Sequence, residues 1–171
     1  MSVIYVCPLS KLSETVAVSG ARHVVTLINA GTRLELPIPV ERRNHLFIGF
    51  NDICEPTEGM TCPGEEHVQQ FLSFVQGWDR ESPIVVHCYA GVSRSTAGAF
   101  TALCALRPDL AEARIAARLR RRSPQATPNS RFVAIADRLL GRHGKMSAAV
   151  RDIGRGADAF EGSVFALKLD E

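Results

Sequence analysis

Pro83-Ile-Val-Val-His87 is a short run of β-formers with no polar face. Such a strand must be covered on both sides, as strands inside a parallel sheet are. Other β-rich runs, residues 3–7, 23–28 and 45–50, alternate with helical patterns along the chain. That alternation predicts an α/β fold: a single three-layer domain whose mostly parallel central sheet, of about four to five strands, is flanked by helices.

The helical patterns have readable ends. Val68, Phe71, Leu72 and Val75 recur at helical spacing, in a helix opening near Gly64–Glu66 and stopping near Gly77. A small-residue helix spans about 93–106 and ends before Pro108. Asp109 is the expected cap of a helix over 110–122, and Asn129 or Ser130 of one over 132–140, closed by Gly141. Residues 34–38 suit a short edge strand, and the tail after Gly144 a short helix and a last strand at 163–169. With 171 residues the chain fills one domain. Its core is expected over about 3–141, with 142–171 as a C-terminal extension.

Composition excludes several function classes. A formal charge of +2 gives no reason to expect a nucleic-acid partner. No apolar stretch approaches the roughly 20 residues that span a bilayer. The N-terminus lacks the basic start and long apolar run of a secretory signal, so no membrane partner and a cytoplasmic location are expected. Cys7, Cys54, Cys62, Cys88 and Cys104 show neither paired spacing nor a zinc-ligand pattern. Hence neither a disulfide framework nor a metal is expected, and most of these thiols read as small buried hydrophobes.

Cys88 is the exception. It ends the buried strand, and a helix begins a few residues later, after Tyr89, Ala90, Gly91, Val92 and Ser93. In such a turn backbone amides converge on one point and the helix N-terminus adds partial positive charge, forming a seat for a tetrahedral oxyanion. Gly91 permits the curl. The same field favours thiolate over thiol at Cys88, which makes it a candidate nucleophile toward phosphorus. Arg94, six positions on, suits a bidentate grip on phosphoryl oxygens that lysine cannot make. Ser95 is placed to hydrogen-bond the sulfur and ease its departure, and His87 to orient the loop.

The pattern His87-Cys88-x5-Arg94-Ser95 resembles the signature of the protein tyrosine phosphatase superfamily. The chain's length, and the lack of a Lys-Asn-Arg-Tyr type loop, place the resemblance in the compact, dual-specificity-like branch, and the Ala/Arg-rich helices suggest a bacterial member. The resemblance implies a phosphomonoester hydrolase without cofactor, acting through a thiophosphate-enzyme intermediate on phosphotyrosine, or on phosphoserine and phosphothreonine. A small phosphomonoester is the other substrate class. It further implies an upstream aspartate as general acid. Asp52, 36 positions before Cys88, is the candidate, with Glu55 and Glu58 as rivals and a plain turn residue as the alternative. Pro128-Asn129-x-x-Phe132 matches a segment in which the asparagine buttresses the phosphate loop; a plain helix cap is the other reading.

Two other classes stay open: a sulfurtransferase or arsenate-reductase-like use of the cysteine loop, and a non-catalytic phosphate-binding module. Residues 89–93 carry no lysine or arginine, which favours a singly phosphorylated substrate. Tyr89 is expected to pack against the loop, and Trp78 in the core. Arg114, Arg118, Arg120, Arg121 and Arg122 read as a solvated helix face.

Overall fold

The computed structural model describes residues 2–171. Among the described residues the five strands are β1 (Val3–Pro8), β2 (His23–Ile28), β3 (His45–Gly49), β4 (Ile84–Cys88) and β5 (Phe165–Lys168). They form one sheet in the order β3-β2-β4-β1-β5. β4, apolar on both faces, lies at its centre and is buried throughout. It runs parallel to β1 and β2, and β2 runs parallel to β3; only β5 is antiparallel, closing the edge beside β1.

The register aligns strand ends. His87 stands opposite both Cys7 and Thr26, and Ile28 opposite Gly49. Pro8, Asn29, Phe50 and Cys88 therefore emerge along one carboxyl edge of the sheet, the usual place for a ligand site in an open α/β sheet.

Side-chain alternation divides the core into two layers. Cys7, Val24 and Val85 face α1 (Leu12–Ser19) and pack with Leu12 and Val16. Val6, Val25, Leu27, Val86 and Cys88 face the larger layer on the other side. That layer holds α2 (Glu65–Gln76), α3 (Arg94–Leu106), α4 (Glu112–Arg122), α5 (Ser130–Leu139) and α6 (Lys145–Ile153). α3 is almost wholly buried, and its small residues let it lie close to the sheet. A Cβ on Gly98 would come within 2.9 Å of Leu27 Cδ1 and 3.0 Å of Val86 Cγ1. Phe132 stacks on Phe50 at 5.9 Å and meets Phe71 edge-on at 5.5 Å, joining α5 to α2 and to the end of β3. Trp78 is buried, its indole N–H donating to the Ser82 carbonyl at 2.9 Å.

Three local expectations are corrected. Residues 34–38 pair with no strand: Leu34 and Leu36 do turn inward onto the α1 layer, but Pro37 and Pro39 offer no N–H to a ladder. Asp109 does not cap α4. It pairs with Arg107 at 2.5 Å, and the helix starts at Glu112 behind Ala111, which has no side-chain cap. The arginines of α4 are not all solvated, because Arg118 is buried and donates to the Lys168 carbonyl at 2.6 Å. Arg120 likewise binds the carbonyls of Pro124 and Gly154, at 2.7 Å each.

Residues 142–171, expected as an extension, supply α6 and β5. Met146, Ala149, Phe165, Leu167 and Leu169 belong to the main core cluster. The buried Asp137 carboxylate fixes the start of α6, accepting from the amides of Gly144 (2.7 Å), Met146 (2.7 Å) and Ser147 (3.1 Å). Among the described residues no helix is long and apolar enough to cross a membrane.

Candidate active site

Between the end of β4 and the start of α3, the five residues 89–93 curl around the Cys88 sulfur. The curl is held from outside by its carbonyls. Tyr89 O accepts from the Leu9 amide (3.1 Å), Ala90 O from Gly162 (2.8 Å), Val92 O from Thr127 (2.9 Å) and Ser93 O from Asn129 (3.3 Å). With these carbonyls committed outward, the peptide units leave their N–H sides to the concave face. The Gly91 amide donates to Cys88 Sγ at 3.2 Å. Gly91 has φ +70°, and a Cβ there would lie 2.7 Å from the Pro8 nitrogen, so both conformation and space require glycine.

Cys88 is 2% exposed, and its sulfur lies 3.2 Å from Ser95 Oγ on the first turn of α3. Burial pushes the Cys7 and Cys104 thiols up to about 12, so both are inert thiols at neutral pH.

The Arg94 side chain is buried. Nη1 donates to Asn29 Oδ1 at 2.6 Å and to the Phe50 carbonyl at 2.8 Å. Nε is buried without a partner. One corner of the guanidinium is thus fixed by residues just past β2 and β3, leaving the Nε and Nη2 edge, the edge that meets an oxyanion in a bidentate pair.

Asp52 reaches the same place from the loop after β3. Its exposed carboxylate accepts, at Oδ1, from Ser93 Oγ (2.7 Å) and Asn129 Nδ2 (2.9 Å). The loop is braced by paired bonds between Asn51 and Thr61, and by Asn129 Nδ2 to the Ile53 carbonyl at 3.3 Å. Glu55 and Glu58 are exposed and make no side-chain hydrogen bond to the phosphate loop. Asn129 Oδ1 caps α5 at the Phe132 amide (3.0 Å), and its backbone N–H donates to the Ser93 carbonyl. Its side-chain amide, however, supports Asp52 rather than the phosphate loop.

His87 makes its side-chain hydrogen bond inside the sheet rather than to residues 89–93. Its Nε2 lies 2.7 Å from Thr26 Oγ1, itself 2.8 Å from His45 Nε2, so the ring ties β4 to β2 inside the sheet. The Thr26 hydroxyl has a single proton, so at most one of the two rings accepts from it. Burial lowers His87 to about 4, the Cys88 backbone partly offsetting and His45 adding to the shift. Tyr89, expected to pack against the loop, stands 57% exposed.

Sequence reasoning missed Asn29, the Phe50 carbonyl and Gly162. A signal existed for Asn29, the first polar residue after β2, as Asp52 is a polar residue soon after β3. Gly162 carried none, lying in a Gly-punctuated tail. A Cβ on it would fall 2.7 Å from the Gly91 carbonyl.

A cavity of about 800 Å³ lies at the opposite, amino end of the strands, near His23 and Pro83, and touches none of these residues. Among the described residues no cluster of three or more His, Cys, Asp or Glu is placed to hold a metal.

A family model described as "polymorphic toxin system, DSP-PTPase phosphatase" matches residues 8–107, a span that includes Asn29, Asp52 and the phosphate loop but stops before Asn129 and the tail. No curated protein sequence matches the chain. Among solved structures the fold resembles that of DUSP15, with TM-score 0.61 and 17% identity over 89% of this chain and 92% of that one. Human DUSP28 and the human tyrosine phosphatase-like serine/threonine/tyrosine-interacting protein each give TM-score 0.62 and 16% identity, over 82% of this chain and 92% of theirs.

Proposed function

Because the chain belongs to the DSP-PTPase phosphatase family of polymorphic toxin systems, we propose that it hydrolyses phosphotyrosine, and phosphoserine or phosphothreonine, in proteins through a phosphocysteine intermediate. The observation that carries this reading is the arrangement of Arg94. Asn29 and the Phe50 carbonyl occupy Nη1, and the buried Nε has no partner. A buried guanidinium with a vacant donor edge is costly alone and is relieved by an oxyanion seated in the loop.

In the proposed sequence the Cys88 thiolate attacks phosphorus, forming the S–P bond as the P–O bond to the side chain breaks. Asp52 gives its proton to the departing oxygen. Arg94 and the loop amides hold the three equatorial oxygens as charge spreads over them. A water then attacks phosphorus, Asp52 takes its proton, and the S–P electrons return to sulfur. The Ser95 hydroxyl and the Gly91 amide, both 3.2 Å from Sγ, stabilise the thiolate that leaves. Charge stabilisation comes from side chains and amides, so the sequence of steps calls on no cofactor. The absence of lysine and arginine in residues 89–93 supports a pocket for one phosphoryl group.

The test is hydrolysis of p-nitrophenyl phosphate in EDTA, with acid quenching of a turning-over sample to trap phosphate on the protein. Turnover, and a phosphoprotein lost in Cys88→Ser, support the reading. Binding of phosphate without turnover indicates a non-catalytic module. Sulfur transfer or arsenate reduction without phosphate release indicates the other use of the loop.

A further inference from the structure

A cavity of about 410 Å³ opens directly beside the proposed acid, lined by Asp52, Ser93 and Asn129 together with Arg151 of α6 and Arg155 just beyond it. The two arginines lie outside the span matched by the family model. Both are largely exposed, at 76% and 78%, and their acidic neighbours are weak competitors. Asp152 approaches Arg151 only to 3.8 Å; Asp158 meets Arg155 at 2.5 Å but is itself 85% exposed. Exposed pairs of this kind hold loosely in water and exchange readily for another anion.

The backbone carrying Arg155 is fixed. Gly154 O accepts from Arg120 Nη2 at 2.7 Å, and the Gly156 amide donates to Thr127 Oγ1 at 3.0 Å. The Ala157 amide donates to the Pro124 carbonyl at 2.9 Å. Gly156 lies so close to Gln125 that a Cβ would fall 2.4 Å from its carbonyl oxygen. A tethered segment is already ordered before binding, so only the side chain's own freedom is left to lose.

We propose that this cavity is a subsite for an anionic side chain, a carboxylate or a second phosphate, flanking the phosphorylated residue of a protein substrate, and that Arg151 and Arg155 read it. The inference rests on the phosphatase reading above and deepens it. The phosphate loop supplies one guanidinium, Arg94, for the group that reacts, whereas the tail supplies two for its neighbour. Since the cavity touches Asp52 and Ser93, the recognised residue lies within about three positions of the reacting one, at roughly 3.3 Å per residue of extended chain.

The experiment compares kcat/KM for one phosphotyrosine peptide carrying Glu, phosphoserine, Gln or Lys at successive flanking positions, with p-nitrophenyl phosphate as reference. The wild type should prefer an anionic flank at one position by about five- to tenfold over Gln, as expected for one or two exposed ion pairs, and the preference should shrink with added salt. Arg151→Ala/Arg155→Ala should erase it and Arg155→Glu should favour Lys, with p-nitrophenyl phosphate turnover unchanged in both. Equal gains from Glu and phosphoserine assign a general carboxylate or phosphate subsite; a gain from phosphoserine alone assigns a second phosphate. Flank-independent rates beside normal p-nitrophenyl phosphate turnover would overturn the subsite alone. No hydrolysis of any substrate would overturn the phosphatase reading and the subsite with it.

Discussion

The Gly162 amide donates to the Ala90 carbonyl across 2.8 Å, joining the C-terminal tail to the outer side of the phosphate loop. The contact leaves no room for a side chain, since a Cβ on Gly162 would lie 2.7 Å from the Gly91 carbonyl. Gly162→Ala should therefore displace the loop rather than merely loosen the tail. Misplacing a reacting group by ~1 Å can cost on the order of 100-fold, so kcat/KM should fall between about 10- and 100-fold. Affinity for vanadate should fall in parallel while the thermal midpoint moves little. An unchanged vanadate affinity would mean that the loop keeps its shape without this contact.

Asn29 holds Arg94 from 65 residues away. Asn29→Ala removes an acceptor from a charged donor, a loss of about 1.5–3 kcal/mol. Competitive inhibition by inorganic phosphate should weaken by about 10–100-fold. Asn29→Asp should also weaken it, because a carboxylate beside Arg94 competes with the oxyanion for the same charge. Phosphate inhibition as tight as in the wild type would show that Arg94 needs no such hold.

Asp52→Asn should lower turnover of phosphotyrosine peptide by about 10²–10⁴-fold, the usual worth of a positioned acid. The limb on which rate falls as an acid ionises should vanish from the pH profile. Glu55→Gln and Glu58→Gln should retain that limb. Retention of it in Asp52→Asn would transfer the role to another group.

His87 links stability to pH. Burial lowers its folded value to about 4, against roughly 6.5 in an unfolded chain. A depressed histidine binds fewer protons in the fold than in the unfolded state, so stability is full above about pH 6.5 and declines as pH falls toward the folded value. The loss between pH 7 and pH 4 is on the order of 3 kcal/mol from this residue. His23, His45 and His67 are also lowered by burial and act in the same direction. Urea midpoints across that range should fall, and less steeply in His87→Gln; equal slopes in the two proteins would remove His87 as the source.

The central strand and the phosphate loop were legible because their determinants are local. An apolar run, a cysteine at its end, a glycine within the turn and an arginine six positions on all lie within one strand-turn-helix unit. The sequence offered Asp52 as an acidic residue soon after a strand, though nothing nearby distinguished it from Glu55. What distinguishes it is Ser93, 41 residues on, and Asn129, 77 residues on. For His87 the converse holds: its immediate neighbours suggested loop contacts, while its side-chain partner Thr26 lies on the adjacent strand.

By itself, then, the sequence determined the layered fold and the strand-turn-helix unit that carries Cys88 and Arg94, since backbone sterics and helix-end electrostatics act over a few residues. Only the tertiary structure decided what holds that unit in shape. Asn29 beneath the guanidinium, Asn129 against Asp52, and Gly162 behind Ala90 depend on strand order and on where the tail returns. Those choices are made by burial summed over the whole chain, which no local pattern of residues encodes.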